Sequence, residues 1–189
     1  MKIILASASP RRRELLEGLG LQLTIRPALG EEHPEPGLSG GETAKRLSRA
    51  KCLEIASQAG EDAVVIAADT VVCLDDQILG KPVDAVDAAR MLRVLSGRDH
   101  RVYTGVTLSR GGRVLSDYEE TVVHFRPLTE REIAAYIETG EPMDKAGAYG
   151  IQGRASLFVR GIEGDYFNVM GLPLCKLGEM LKEIGVDLF

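Results

Sequence analysis

Residues 5–16 read Leu-Ala-Ser-Ala-Ser-Pro-Arg-Arg-Arg-Glu-Leu-Leu. The pattern predicts a short apolar strand, Ile3 to Ala6, that passes through small hydroxyl residues into an amphipathic helix. Ser9 suits the N-cap of that helix, and Pro10 suits its first position because the missing N–H would have no partner inside the helix anyway. We therefore expect a strand–turn–helix unit at the start of the chain.

Three arginines, Arg11 to Arg13, fill the first turn of this predicted helix. The amides of a first turn carry partial positive charge and favour acidic side chains, so guanidinium groups are locally unfavourable there. A bound anion such as phosphate would offset that cost. Arg12 precedes Leu15 and Leu16 by three and four residues, which places it on the buried face of the helix. The pattern indicates an anion site in this turn.

The composition is that of a soluble globular protein, with 44% hydrophobic and 27% charged residues in a chain of 189. We expect a single domain, residues 1–189, with two lobes around a cleft. The net charge of -5 argues against general binding to nucleic acid or to anionic membranes, and no apolar run approaches the roughly 18 residues of a membrane span. The three cysteines form no disulfide or zinc motif, so we expect buried free thiols and a cytoplasmic protein.

Hydrophobic periodicity predicts alternating strands and helices with long hairpins inserted, which is typical of an α/β fold with a mixed sheet. One strand, 63–68, is apolar throughout and is expected to be buried on both faces. A glycine-rich region, 147–171, is expected to hold one or two strands. The other predicted strands are 21–26, 71–74, 77–79, 102–109 and 114–125, and the other predicted helices are 43–59, 84–95, 129–138 and 172–184.

Four charged side chains outside the first helix are candidates for chemistry. Asp69 directly follows strand 63–68, where α/β sheets open their ligand clefts, although an aspartate that caps a turn would look the same. Lys51 lies within the apolar stripe of its helix, so it either snorkels to solvent or reaches a cleft. Lys81 lies within a Gly-Lys-Pro sequence, and Glu32 lies in a long loop. Considered singly, each is typical of a solvated surface residue.

Taken together, several cations, a strand-end carboxylate and an acidic loop are the groups that hold a triphosphate with a divalent metal. The chain has neither a GxxxxGK[ST] nor a GxGxxG motif. A nucleotide enzyme of this sequence is therefore neither a P-loop nor a Rossmann protein.

Seven blocks of sequence, in order from residue 5 to residue 174, resemble the Maf family. They cover nearly the whole chain, and the two longest are too specific to arise by chance. The blocks are LASASPRR (5–12), ADTVV (68–72), GKP (80–82), SGR (96–98), YTGV (103–106), DKAGAYGIQG (144–153) and VMGLPL (169–174).

The resemblance implies both a fold and an activity. Maf proteins are nucleoside triphosphate pyrophosphatases with an ITPase-like fold, an elongated mixed β-sheet flanked by helices with a central cleft. The segment 147–153, GAYGIQG, resembles the branch that acts on dTTP and UTP, whereas the branch that acts on 7-methyl-GTP carries a Gly-Ser-Phe-Lys-Ser-Glu-Gly type of segment here. The resemblance also suggests a homodimer and links the family to inhibition of septum formation.

The functional positions of the family match residues of this chain one by one, and none is substituted. The resemblance places substrate selection at Arg12, Thr70 and Gln152. The full set of matching positions is Ser7, Arg11, Arg12, Glu32, Lys51, Asp69, Lys81 and Gln152.

Our hypothesis is hydrolysis between the α- and β-phosphates of a nucleoside triphosphate. Asp69 with Glu32 would hold Mg²⁺ or Mn²⁺ and would position or deprotonate a water. Lys51, Lys81 and the arginines would neutralise the phosphates, while Ser7 and the first-turn amides hold them. The amide of Gln152 offers a donor and an acceptor to O4 and N3–H of uracil or thymine.

Two other functions remain open at this point. One is a non-catalytic nucleotide-binding regulator of cell division, which would bind nucleotides without turnover. The other is a house-cleaning hydrolase whose best substrates are modified pyrimidine nucleotides.

Overall fold

The computed structural model describes residues 2–30, 35 and 37–189. These residues form a mixed seven-stranded sheet with helices on both faces, which confirms the predicted α/β class. None of the described helices combines the length and apolar character that crossing a lipid bilayer requires. The strands are β1 Ile3–Leu5, β2 Leu23–Ile25, β3 Val64–Leu74, β4 Gln77–Leu79, β5 Asp99–Arg110, β6 Arg113–Phe125 and β7 Val159–Glu163, and the helices are α1 Pro10–Gly18, α2 Gly40–Ala56, α3 Ala85–Leu95, α4 Glu130–Glu138, α5 Tyr166–Met170 and α6 Leu174–Glu183.

Strand β3 lies in the middle of the sheet, and part of one of its edges has no neighbouring strand among the described residues. The strand order is β2-β1-β3-β5-β6-β7. On one side β3 pairs antiparallel with β5 along 65–73. On the other side it pairs in parallel with β1 along 64–66 and antiparallel with β4 along 72–74. Between those two pairings, residues 67–71 of β3 face no other described strand, and this opening leads to the cleft.

The alternation of side chains along β3 places successive residues on opposite faces of the sheet. Val65 and Ala67 pack with Cys52 of α2 on one face. On the opposite face, Ile66 packs in a cluster that includes residues of α1 and α6, while Val72 packs in a second cluster that includes residues of α3 and α4. The opening in β3 therefore lies between two hydrophobic clusters on that face.

Helix α2 packs directly against the central hairpin, which β5 and β6 form, because a glycine of β5 leaves room for the helix backbone. A Cβ atom built on Gly105 of β5 would stand 2.2 Å from the carbonyl oxygen of Ala44 in α2. Real Cβ atoms do not approach backbone atoms so closely, so only glycine fits at this crossing. The close approach brings the middle of α2, and Lys51 with it, against β3.

The predicted ends of several elements are confirmed by their caps. The Ser9 side chain accepts a hydrogen bond from the backbone N–H of Arg12, and Asp84 caps α3 in the same way. Thr129 and Glu132 form the predicted capping box at the start of α4. These ends depend on local side-chain chemistry, which is why short patterns predict them.

Three predictions differ from the structure, and the one for the glycine-rich region is confirmed. Strands 63–68 and 71–74 are one continuous strand, β3, so Asp69 lies within a strand and not after its end. Helix α2 begins at Gly40 with Ser39 as its N-cap, three residues earlier than predicted, and ends at Ala56. The glycine-rich region holds one strand, as predicted, together with a short helix and 3-10 turns. Cys175 is exposed, whereas the other two cysteines are buried as expected.

Candidate active site

A cavity of about 320 Å³ lies at the opening in β3, within the size range of small-molecule sites. Most of the predicted site residues line it, although they come from distant parts of the chain. Those that line it are Arg11, Arg12, Lys51, Asp69, Thr70, Lys81 and Gln152. Ser7 lies just behind this lining, in contact with Arg12, and Glu32 lies outside the described residues.

Lys51 and Asp69 form an ion pair on the α2 face of the sheet. The Lys51 ammonium donates a hydrogen bond to Oδ1 of Asp69, and the side chains are only 17% and 8% exposed. Two charges this far from solvent are tolerated because each has an opposite charge as a partner. The lysine on the apolar stripe of α2 therefore reaches the cleft.

Arg12 reaches the cleft from the opposite face of the sheet. Its Nε donates to the carbonyl oxygen of Gly171 at 2.8 Å, and its terminal nitrogens donate to the hydroxyls of Ser7 at 3.1 Å and Thr70 at 3.0 Å. These contacts fix the plane of the guanidinium group. The inward-facing arginine of α1 thus has the partners that its position required.

A third group of charges joins the two sides of the cleft. The Asp144 carboxylate lies 3.8 Å from the Arg11 guanidinium and accepts a hydrogen bond of 2.6 Å from Lys145. Burial alone would raise the pKa of Asp144, but the hydrogen bond and charge of Lys145, together with the charge of Arg11, hold it below its usual range. Lys145 also donates to the carbonyl oxygen of Glu141 at 2.6 Å.

The remaining wall of the cavity is largely apolar and includes the ring of Tyr149. The Tyr149 hydroxyl lies 2.7 Å from Nε2 of His100, a contact between two buried side chains. Burial lowers the pKa of His100 to about 4, so the imidazole is neutral at pH 7. Gln152 and Lys81 are exposed at the mouth of the cavity. The cavity therefore has a cationic end and an apolar wall with an amide at its edge.

The described residues of the cavity would bind a divalent cation only together with a bound substrate that supplies further oxygen ligands. Within the described ranges, no cluster of three or more histidine, cysteine, aspartate or glutamate side chains is arranged to hold a metal. Asp69 nevertheless offers a buried carboxylate at the cavity. Mg²⁺ commonly binds one or two carboxylates and completes its shell with phosphate oxygens and water. The donor set therefore fits a metal that is shared with a phosphorylated ligand.

Sequence reasoning missed three residues of this site. Lys145 and Asp144 begin the block DKAGAYGIQG, whose resemblance to the family points to Gln152 and not to its first two residues. Gly171, in the block VMGLPL, contributes a carbonyl oxygen to Arg12. A backbone acceptor leaves no mark on the residue type, so only the three-dimensional structure identifies it.

Comparisons with known proteins identify the family of this chain. A family model described as "Maf-like protein" matches residues 2–184. A dTTP/UTP pyrophosphatase of Pelotomaculum thermopropionicum is 50% identical over 188 residues, covering 98% of each chain. A dTTP/UTP pyrophosphatase of Alkaliphilus oremlandii is 52% identical over 183 residues, covering 96% of this chain and 95% of that protein.

A solved structure has a similar fold at much lower sequence identity. The Ham1 protein of Staphylococcus aureus superposes with a TM-score of 0.50 at 11% identity, covering 97% of this chain and 100% of the other. At this identity the similarity shows the fold alone, whereas the family match spans nearly the whole sequence. The chain belongs to the Maf family.

Proposed function

We propose that the protein is a nucleoside triphosphate pyrophosphatase that hydrolyses dTTP and UTP to the monophosphate and pyrophosphate. The observation that carries this proposal is the convergence of one buried carboxylate and several cations on a single cavity, from α1, α2, β3 and the segment after β4. The two relatives at about half identity are named for that activity.

The cations are placed to bind the triphosphate. Arg11, Arg12, Lys51 and Lys81 line one cavity, and their charges would neutralise both the bound phosphates and the negative charge on departing pyrophosphate. Fixed cations in a confined site act more strongly than mobile ones in water, because they need no reorganisation when charge develops.

Asp69 is the residue that we assign to the attacking water. Its hydrogen bond from Lys51 fixes the carboxylate at the edge of the cavity. In that position it can orient a water toward the α-phosphorus and accept a proton from it. The positive charge of Lys51 lies directly beside the carboxylate and pairs with it.

We also propose a requirement for Mg²⁺ or Mn²⁺. Asp69 would hold the ion, with Glu32 as the second ligand predicted from the sequence. When bound, such an ion lowers the pKa of coordinated water and neutralises phosphate charge.

The base would lie against the apolar wall, with Gln152 at its edge. A side-chain amide offers both a donor and an acceptor, which complements O4 and N3–H of thymine and uracil. We expect a purine to be refused mainly because its two-ring base is larger. Modified pyrimidine nucleotides stay within this proposal, because a substituent on the ring leaves both polar atoms in place.

A regulator that binds its nucleotide without a metal would gain nothing from a carboxylate beside a triphosphate, whereas an enzyme needs one to activate water, so the arrangement favours an enzyme over a regulator of cell division. An enzyme of this kind acts on the nucleotide pool, and we therefore also propose a cytoplasmic location. The homodimer and the link to septum formation stay predictions from the resemblance.

The test is incubation of the pure protein with Mg²⁺ and a panel of nucleoside triphosphates, with pyrophosphate resolved from orthophosphate. We expect pyrophosphate and monophosphate from dTTP and UTP, with much slower release from purine nucleotides, and no product when the metal is chelated. Orthophosphate as the first product, or turnover that is indifferent to the base, would contradict the proposal.

A further inference from the structure

Arg12 belongs to a closed ring of hydrogen bonds that extends into the core behind the cavity. Its terminal nitrogen donates to the Thr70 hydroxyl at 3.0 Å, which lies 2.9 Å from the Thr104 hydroxyl. Thr104 in turn donates to the backbone carbonyl of Asn168 at 2.9 Å. The N–H of Gly171 donates to that same carbonyl at 2.9 Å, and the carbonyl of Gly171 accepts from Arg12 at 2.8 Å. The ring therefore returns to the guanidinium where it began.

The direction of every proton in this ring is determined by chemistry. A carbonyl oxygen can only accept a hydrogen bond. The single hydroxyl proton of Thr104 is therefore donated to the backbone carbonyl oxygen of Asn168. In its contact with Thr70, Thr104 can then only accept, which makes Thr70 the donor. Thr70 has in turn no proton left for Arg12 and accepts from the guanidinium. Each hydrogen bond from Arg12 through Thr70 and Thr104 is therefore donated in the direction away from the guanidinium. Hydrogen bonds that are arranged in the same direction along a chain strengthen one another.

The far side of the ring is fixed to the sheet by the side chain of Asn168. The amide nitrogen donates to the carbonyl of Val102 in β5 and to the hydroxyl of Thr121 in β6, each at 2.9 Å. Asn168, Thr104 and Thr121 have no exposed surface. Buried polar groups that are bonded in this way hold a single geometry, because any displacement leaves polar atoms without partners.

We propose that Thr104 and Asn168 are positioning residues, which hold the Arg12 guanidinium in the orientation that receives a triphosphate. This inference rests on the proposed function, because it takes Arg12 as a ligand of the phosphates. It also assigns a restricted role to Thr70. With its proton committed to Thr104, Thr70 can accept a hydrogen bond from a substrate N–H or O–H, but it cannot donate one to a phosphate oxygen.

The same strand provides a matched control. Thr107, three residues after Thr104 on β5, has no exposed surface, and its hydroxyl contacts those of Ser48 at 2.9 Å and Ser116 at 3.0 Å. Thr104 and Thr107 therefore match in residue type, in strand and in burial, and the hydroxyl of each forms hydrogen bonds inside the protein. The hydrogen bonds of Thr107 lead to α2 and β6 and not to Arg12.

The experiment compares Thr104→Val, Thr104→Ser and Thr107→Val with the wild type. Thr104→Val replaces the hydroxyl by a methyl group of similar size, whereas Thr104→Ser keeps the hydroxyl. Three quantities are measured for each protein: kcat and KM for dTTP with Mg²⁺, and the Kd of inorganic triphosphate by calorimetry. The midpoint of urea unfolding reports whether the two valine variants lose stability to a similar degree.

For Thr104→Val we expect KM and the Kd of inorganic triphosphate to rise about tenfold, with a much smaller change in kcat, because binding of the phosphates is weakened in ground state and transition state alike. Thr104→Ser should restore both values to within about threefold of wild type. Thr107→Val should lose stability but leave KM and Kd unchanged. Thr104→Cys, which is close to serine in size and a weak donor, replaces Thr104→Val if the latter does not fold.

An unchanged Kd for triphosphate in Thr104→Val, or an equal loss in Thr107→Val, would overturn the positioning role. Failure of the proposed function looks different. In that case the wild type releases no pyrophosphate from any nucleotide, while the calorimetric comparison between the Thr104 and Thr107 variants still gives its answer.

Discussion

Asp69 and Thr70 are neighbours on β3, yet they face opposite sides of the sheet and each contacts a cation from a different helix. Asp69 accepts a hydrogen bond from Lys51 of α2, and Thr70 accepts one from Arg12 of α1. Both still line one cavity, because the edge of β3 is open at this point and the cavity reaches around it. Two adjacent residues thereby contribute to opposite walls of the site.

The first prediction concerns the carboxylate of Asp69. Asp69→Asn should lower kcat at least about 100-fold, because the amide cannot accept a proton from water. The measurement is pyrophosphate release from dTTP with Mg²⁺. Asp76→Asn, which changes an exposed carboxylate just beyond the end of the same strand, should keep wild-type activity. Residual activity above a few per cent in Asp69→Asn would remove Asp69 from the catalytic role.

The second prediction concerns the choice of base. Gln152→Glu replaces an amide by a carboxylate, so the donor that should meet O4 of thymine or uracil is lost and a charge repels that oxygen. We expect kcat/KM for dTTP and UTP to fall about 100-fold, with little effect on the urea midpoint, because Gln152 is exposed. Gln77→Glu, at an exposed position on β4, is the matched control. An equal loss with every nucleotide would argue against base recognition by Gln152.

The third prediction concerns the contact between α2 and the hairpin. Gly105→Ala should destabilise the protein by about 3 kcal/mol, since its Cβ would meet the backbone of Ala44 and force α2 outward. Gly178→Ala in α6 should instead stabilise it by about 0.5–1 kcal/mol, because its Cβ meets no atom within 4 Å and alanine favours a helix. Urea unfolding of both variants measures this difference in sign. A neutral Gly105→Ala would show that the helix can shift at no cost.

The fourth prediction is a pH dependence at the end of strand β6, where His124 lies. The hydrogen bond from His124 to Asp99, supported by Glu163 of β7, raises the pKa of His124 above its usual 6.5. The folded protein therefore binds this proton more tightly than the unfolded chain. The resulting stabilisation is complete below pH 6.5 and is lost as the pH rises through the raised pKa of the folded state.

The measurement is the urea midpoint of wild type and His124→Asn at about pH 5.5 and about pH 8.5. The wild type should exceed the variant at the lower pH and lose that advantage at the higher one. Burial lowers the pKa of His100 to about 4 in the folded state, so His100 also makes stability depend on pH, but this contribution is common to both proteins and cancels in their difference. A constant difference between the two proteins would mean that the His124 ion pairs contribute nothing to stability.

Local chemistry made much of the fold predictable from the sequence. The caps at Ser9, Asp84 and Thr129 and the hairpin at Gly111 and Gly112 depend on residues within a few positions of one another. The break that we predicted around Asp69 was wrong because polar residues inside a strand look like its end. The strand continues since Asp69 and Thr70 find hydrogen-bonding partners in distant parts of the chain.

The start of α2 shows the same limit. Two glycines, Gly40 and Gly41, look like a loop, but they form the first turn of the helix. A Cβ on Gly41 would stand 2.4 Å from the ring of Tyr118, and one on Gly40 would stand 2.5 Å from the sulfur of Cys73. Their lack of a side chain is explained by residues that are far away in sequence, which no local pattern contains.

The close crossing of α2 over β5 has a mechanical consequence. A helix in backbone contact with a sheet leaves no room for one to slide against the other, so the wall that carries Lys51 and the strand that carries Asp69 behave as a single rigid body. We therefore expect any narrowing of the cleft around a nucleotide to come from the opposite side, where the Asp144 carboxylate lies 3.8 Å from the Arg11 guanidinium.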